Sequence, residues 1–450
     1  MIRSSRLRHP DDQILECFLQ DSANPEATSR YVLEKYSDGP EGLDLTSLLS
    51  DWKELVRNVI EQFSQQNTPK GDVVVNVTKR DNYTCCITGL KSPLADPLIV
   101  PPIFPVIRFS RESLQALFDL FTGSDIQERI QGNDSRSFGV QNHWLVRKSA
   151  AKALAQGYFR FRSTRGSDYR VSQVTIGGPN RPSIVERIPA VRRGRFIDQS
   201  NSGVETPEIS LLLATSRFSK SIRWSLVGQE IAKRPRQPPK TMLFSSPWPY
   251  ISEYVALAPK SLFLVLLTTT MPGQRLGSYI DTLGDDDLDV FRHDMQKYMA
   301  QLRSVSRQGE QKHAISNAVG GPCYDYRIVA CQDYDKERGD FFGPFNDEEE
   351  FNNTLRTPAL PDVFHSTGHG IVLTHSDINM RNVLIHNGRI SGIVDWENSG
   401  WFPDYWEYTK AYYVTKLNKR WLAVVDRIFE SFGDFKLDLA IERRLWEYCF

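Results

Sequence analysis

Cysteine is sparse and irregular in this 450-residue chain: Cys17, Cys85, Cys86, Cys323, Cys331 and Cys449 show no repeated CxxC spacing. That excludes a zinc-ribbon type of site and a disulfide framework, and points to a reducing compartment. An excess of either charge is missing too, since Lys plus Arg is 55 and Asp plus Glu is 55. No global field draws such a molecule to nucleic acid or to an anionic membrane, so neither is expected as a partner. The longest apolar run, SLFLVLL, is far too short to cross a bilayer. The basic N-terminus MIRSSRLRHPDDQ lacks the apolar centre of a signal peptide. A soluble protein of the cytoplasm or nucleus is the expectation.

What is present is the composition of a folded protein, 40% hydrophobic, 11% aromatic and 24% charged. At roughly 150 residues per domain the length suggests two or three domains. Residues 1–70 read as a helical lead-in, with helices at Asp12–Leu19 and Leu45–Phe63. DVVVNVTKRDNYTCCITG reads as a β-hairpin that ends at Gly89, with Cys85 and Cys86 on opposite faces of its second strand. A helix is expected at Ser110–Phe121, and NHWLVRKSAAKALAQGYFRFR reads as strand, helix, then aromatic strand. The basic VRRGR reads as a solvated loop, and Pro207–Lys233 carries helical spacing. RPRQPPK suits neither a helix nor a central strand, which places a boundary near Lys233–Lys240. Beyond it, a buried strand stops at Pro272-Gly273. The next helix aligns Leu288, Phe291, Met295, Tyr298 and Leu302 in one apolar stripe.

The stretch LTHSDINMRNVLIHNGRISGIVDWENSG carries the chemistry. GIVLTH, Val383–His386 and Arg389–Val394 read as strands of a small meander, the last two joined at Asn387-Gly388. His375 and Asp377 leave the first strand, Asn382 precedes the second and Asp395 follows the third. Two carboxylates and an amide facing one point repel unless a cation lies between them, and Mg²⁺ suits that oxygen set. One acid can then take a proton from an acceptor hydroxyl, while the other and the Asn hold the metal beside a transferring phosphoryl group. The order H-x-D-x-x-x-x-N, a turn, then Asp after an apolar strand is the one protein kinases use.

The longer run THSDINMRNVLIHNGRISGIVDWENSGWFPDYWEYTKAYY resembles the aminoglycoside phosphotransferase and choline kinase-like superfamily, in particular its fungal members. The resemblance extends through MPGQRLGSY, GGPCYDYRI and GPFNDEEEFNNTL, from about Leu262 to Phe450. It implies a mostly helical, protein kinase-like C-lobe, ATP and Mg²⁺ as cofactors, and a small-molecule hydroxyl as acceptor. In site terms it implies Asp377 as catalytic base, His375 as support for the catalytic loop, and Asn382 and Asp395 as magnesium and nucleotide ligands. Glu397 would be a nearby acid, and Asp404 and Glu407 would bind the following helix back to the loop. Ser376 stands where the family usually has Gly, which strains the loop if that position needs a positive φ. The family's N-terminal lobe is not recognisable in KTMLFSSPWPYISEYVALAPK, where Lys240 and Lys260 read as surface lysines. A catalytically dead binding module therefore stays open beside an active phosphotransferase.

KRDNYTCCITG, DPLIVPPIFP and NHWLVRKSAAKALAQGYFRFRS together resemble fungal HNH-endonuclease-like domains. That implies a ββα metal site and a nucleic-acid enzyme as a second alternative. Leu98 stands where the activating His is expected, and only Asn142 and His143 remain of the site, so the domain reads as degenerate. The organisation expected is thus α+β: a lead-in at 1–70, an HNH-like domain at 71–233, a linker with an N-lobe remnant at 234–260, and a kinase-like C-lobe at 261–450.

Overall fold

The computed structural model describes residues 7–36, 45–64, 69, 71–91, 95–123, 126, 139–177, 181–233, 271–307, 312–325, 328, 341–415 and 417–447. The chain divides into two compact units, Met1–Arg234 and Pro235–Phe450. Both mix helices with small sheets, so the fold is α+β. The expected linker, the buried strand after it, Lys240 and Lys260 lie outside the described residues. Among the described residues no helix is long and apolar enough to cross a membrane.

The first unit opens with helices α1 (Asp11–Gln20), α2 (Pro25–Tyr36), α3 (Leu45–Ser64) and α4 (Gly71–Arg80). Strand β1 (Leu98–Ile99), α5 (Glu112–Thr122), β2 (Val146–Arg147) and α6 (Lys148–Ala155) follow. Then come β3 (Phe159–Ser163), β4 (Asp168–Gln173), α7 (Ser183–Arg187), β5 (Val191–Arg195) and the long α8 (Ile209–Lys233). Phe218 of α8 meets Phe121 of α5 at 4.8 Å between ring centroids, and Trp52 of α3 meets Phe18 and Phe121 at 4.6 Å each. These rings are fully buried, and tilted contacts of this kind make aromatic side chains strong core fillers.

Three local readings are corrected here. GDVVVNVTKR is the helix α4, not a strand. Val73, Val74, Val77 and Arg80 fall on one helical face, where the valines pack on Val100 and Leu145, and that burial outweighs the β-preference of four valines. TCCITG is a turn in which both cysteines are buried. Cys85 Sγ accepts from the Thr88 and Arg147 amides, and the Cys86 thiol donates to Asp81. VRRGR is strand β5, paired antiparallel with β4. Gly194 allows it, because a Cβ there would lie 2.4 Å from the buried Tyr169 ring.

Arg80 holds this unit's distant segments together. Its fully buried guanidinium pairs with Asp81 at 2.7 and 3.0 Å, and donates to the carbonyls of Val140, His143 and Glu205. Asp81 in turn accepts from the Leu145 amide at 2.9 Å. The two residues left from the nuclease-like pattern also serve the backbone. Asn142 brackets Phe104, accepting from its N–H at 3.0 Å and donating to its C=O at 2.9 Å. His143 Nδ1 bonds Gly139 O at 2.9 Å, and burial lowers its pKa. Among the described residues no group of three or more His, Cys, Asp or Glu could hold a metal ion.

The second unit begins with β6 (Gln274–Arg275), α9 (Asp285–Arg303), β7 (Ser316–Asn317) and α10 (Glu348–Leu355). Strands β8 (Ile371–Thr374), β9 (Val383–His386), β10 (Arg389–Ile393) and β11 (Gly400–Pro403) follow. Helices α11 (Trp406–Val414), α12 (Lys419–Phe429) and α13 (Lys436–Trp446) close it. The expected meander is two separate three-stranded sheets, ordered β10-β9-β6 and β7-β11-β8. Strand β8, which leads into the loop Thr374 to Asn382, pairs with β11, which comes after the loop, and not with β9. Of the three strands expected in the meander, β9 and β10 form a hairpin, with Asn387 and Gly388 at φ 51° and 74° as a two-residue turn suited to strand twist. On α9 the buried stripe is Leu288, Phe291, Met295, Met299 and Leu302, with Tyr298 only partly buried, as a 3.6-residue period requires. Arg389 grips Asp294 with Nε and Nη2 at 2.7 and 2.6 Å, fixing the hairpin on α9.

Replacing Arg80 with Met should cost about 3–5 kcal/mol, because it strands a buried Asp81 carboxylate and three carbonyls. Chemical denaturation of the first unit would register this as a lower midpoint.

Candidate active site

The loop from Thr374 to Asn382 is fastened from outside by Glu407, a 1% exposed residue in the first turn of α11. Its carboxylate accepts from the backbone N–H groups of His375 at 2.6 Å, Ser376 at 3.1 Å and Ile378 at 3.4 Å. Three donors on one acid hold the loop far more firmly than a turn's own bonds, since charge-assisted hydrogen bonds are roughly twice as strong as neutral ones.

Within the loop His375 is fully buried. Its Nδ1 accepts the Asp377 N–H at 3.3 Å and its Nε2 donates to Val394 O at 3.0 Å, while its ring lies against Trp396. Both ring nitrogens are thus committed to the backbone, so His375 positions the loop. Val394 N donates to Asn382 O at 2.9 Å. This relay of bonds joins the ends of both sheets. Asp395 follows Val394 directly in the chain.

Asp377 is 7% exposed and lies at the centre. One carboxylate oxygen accepts from Asn379 Nδ2 at 2.9 Å and the other from Asn382 Nδ2 at 2.8 Å. Burial raises its pKa, against the lowering pull of Asn379, Asn382, Lys410 and His375. Asn382 is buried, and no hydrogen bond reaches its Oδ1 among the described residues. Asp395 is exposed, has a left-handed backbone at φ 70°, and has no ion pair or hydrogen bond to its carboxylate among the described residues. Glu397 is exposed.

Two features escaped the sequence reading. Asn379 orients Asp377 as directly as Asn382 does, and the N-x-x-N spacing was its only signal. Lys410, three residues after Glu407 on α11, is buried against Asp325 at 2.8 Å; at helical spacing it looks like any surface lysine. Asp404 accepts the Gly370 N–H just before β8, and burial raises its pKa.

The approach to β8 is anchored by a second polar cluster. His365, 3% exposed, lies between Asp438 and Glu442 of α13 at 3.0 Å each, stacked on Tyr405 at 4.4 Å. Glu348 of α10 accepts from the Gly368 and His369 amides and pairs with His369 Nδ1 at 2.6 Å. Burial acts to lower the His365 pKa, but the bonds to Asp438 and Glu442 outweigh it and raise it. His369 and Asp404 face the same cluster.

A histidine whose folded pKa is raised adds stability below its unfolded pKa of about 6.5, and loses it as pH climbs through the higher folded value. Amide protection in α13 should therefore fall as the pH rises above about 6.5, and His365→Gln should flatten that dependence. A second expectation concerns Ser376, which has φ 63° and a 2.7 Å hydroxyl contact with Thr374 Oγ1. Ser376→Gly and Ser376→Ala both remove the contact, but only Gly relieves the backbone. The Gly variant should be more stable than the Ala variant by about 1 kcal/mol in thermal unfolding.

No curated protein matches this chain. Residues 244–438 match the model of APH, the phosphotransferase enzyme family, a span that includes the loop Thr374 to Asn382 and Glu407 and begins ahead of the described part of the second unit. The match lies wholly outside Met1–Arg234, and the nuclease-like resemblance of that unit is not supported. By residues 244–438 the chain is similar to phosphotransferases.

Proposed function

We propose that the second unit transfers the γ-phosphoryl group of ATP to a hydroxyl of a small molecule, with Asp377 as general base and Asn382 and Asp395 as the magnesium ligands of a kinase-like C-lobe. The observation that carries this reading is the pairing at Asp377. A buried carboxylate of raised pKa is fixed by two amides, and one of those amides keeps its oxygen unbonded. A base is most effective when its pKa approaches the working pH, and burial moves Asp377 in that direction.

The donor set suits a hard divalent cation: a neutral amide oxygen at Asn382 and an exposed carboxylate at Asp395, to which water and phosphate oxygens would add the remaining ligands. When bound, Mg²⁺ neutralises the charge on the phosphates and fixes their orientation. The chain supplies the rest. Asp377 accepts the proton of the acceptor hydroxyl on a carboxylate oxygen. Asn379 and Asn382 keep that carboxylate in one rotamer, and His375 and Glu407 hold the loop that presents it. Positioning of this sort accounts for much of a phosphoryl-transfer catalyst's power.

Nucleotide binding, followed by calorimetry with and without Mg²⁺, tests the metal assignment. Asp395→Ala should abolish the gain in ATP affinity that Mg²⁺ gives the wild type; equal Mg²⁺-dependent binding by both proteins would sink it. Asp377→Asn should keep nucleotide binding and lower ATP consumption by about 10²–10⁴-fold with a panel of small hydroxyl compounds. Tight binding with no turnover on any acceptor would favour the binding module.

A further inference from the structure

A row of like charges crosses one face of the β3-β4-β5 sheet in the first unit, and none of its residues belongs to the candidate site. The register sets Arg162 opposite Arg170, and Arg170 opposite Arg193. All three are exposed and have no acidic partner among the described residues. Like charges placed directly opposite one another destabilise a sheet. The only acid on these strands, Asp168, is taken by Arg195, whose Nη2 bonds it at 2.9 Å.

Beside the row runs a groove of about 210 Å³, with Arg160, Arg162, Ser172, Gln173, Thr175 and Lys220 in its walls. Arg160 and Lys220 share a single counter-charge, Asp21, at 2.7 and 3.5 Å. Residues 151–200 hold ten Lys and Arg against three Asp and Glu. The first unit holds 32 cations against 26 acids, so the balanced total conceals a local excess.

We infer that this face binds the phosphate backbone of duplex nucleic acid without reading its sequence. The inference is independent of the phosphotransferase reading and requires no nuclease site. Three strands spaced by about 4.8 Å spread the row over about 10 Å. A duplex, with one charge per about 1.7 Å of axis, is dense enough in anions to meet all three guanidinium groups at once. The aromatic residues of these strands, Phe159, Phe161 and Tyr169, are buried on the opposite face. No ring is left there for unpaired bases to stack on, which favours a duplex over a single strand. Val191 is the one exposed apolar residue on the strands, too little to enter a lipid surface.

The test is fluorescence anisotropy of a short labelled DNA duplex of random sequence with the full chain, at several salt concentrations. Wild type should bind at low salt. The triple variant Arg162→Gln, Arg170→Gln, Arg193→Gln should lose about tenfold or more in affinity, and the slope of log K against log salt should become shallower by about three. Its thermal midpoint should match or exceed that of the wild type, since a like-charge row is removed. Replacing three exposed cations elsewhere in the unit, Arg30, Arg57 and Lys79, should leave the salt slope nearly unchanged. Failure of the wild type to bind duplex, equal binding by the row variant, or a lowered midpoint would each overturn the inference. Binding to anionic vesicles or an acidic peptide in preference to the duplex would do the same.

Discussion

One buried carboxylate determines the shape of the candidate active site. Glu407 takes three amides of one loop, those of His375, Ser376 and Ile378, and an unpaired buried donor costs about 1–3 kcal/mol. Because Glu407 is carried by α11, and α11 packs through Trp406, Tyr408 and Ala411 into the core, the loop inherits the rigidity of a helix. His375 then transmits that placement to Val394, and Val394 to Asn382. Asp377 needs no contact of its own with the core to be held; its neighbours hold it.

The same architecture explains where backbone strain has collected. Ser376 and Asp395, both non-glycine, adopt left-handed φ values at the two ends of the candidate site. Such conformations persist only where surrounding bonds over-determine them. Around Ser376 those bonds come from Glu407 and Thr374; beside Asp395 they reach the preceding residue, Val394, from His375 and Asn382.

The loop from Thr374 to Asn382 stood out in the sequence because its spacing is dense in polar chemistry, and the structure does join its acid, amides and histidine by hydrogen bonds. Strands β9 and β10 and helices α1, α3, α5 and α9 were legible from periodicity, since each buries one face against one core; α8 is buried on nearly every side and was legible from its run of helix-forming and apolar residues. Sheet partnership was not, because β8 pairs with a strand 26 residues further on, and no local pattern encodes that register. Helix α4 was misread because four valines suit a strand, while the decisive burial against Val100 and Leu145 comes from residues far along the chain. The basic VRRGR was read as a loop because charge suggests solvent; one glycine beneath a tyrosine ring makes it a strand. Lys410 and Asp325 gave no signal, as a buried ion pair announces itself only when both partners are in place.

The serines of α8 have an effect that reaches beyond packing. Ser216 exchanges hydrogen bonds with the N–H and C=O of Phe161, and Ser219 donates to the C=O of Phe159. The outer rim of β3 is therefore closed to any incoming strand. Among the described residues β5 is the remaining open rim, and its exposed Arg193, which has no acidic partner among them, would repel an identical rim from a second molecule. Helix and charge divide between them the task of stopping this small sheet from growing into an aggregate.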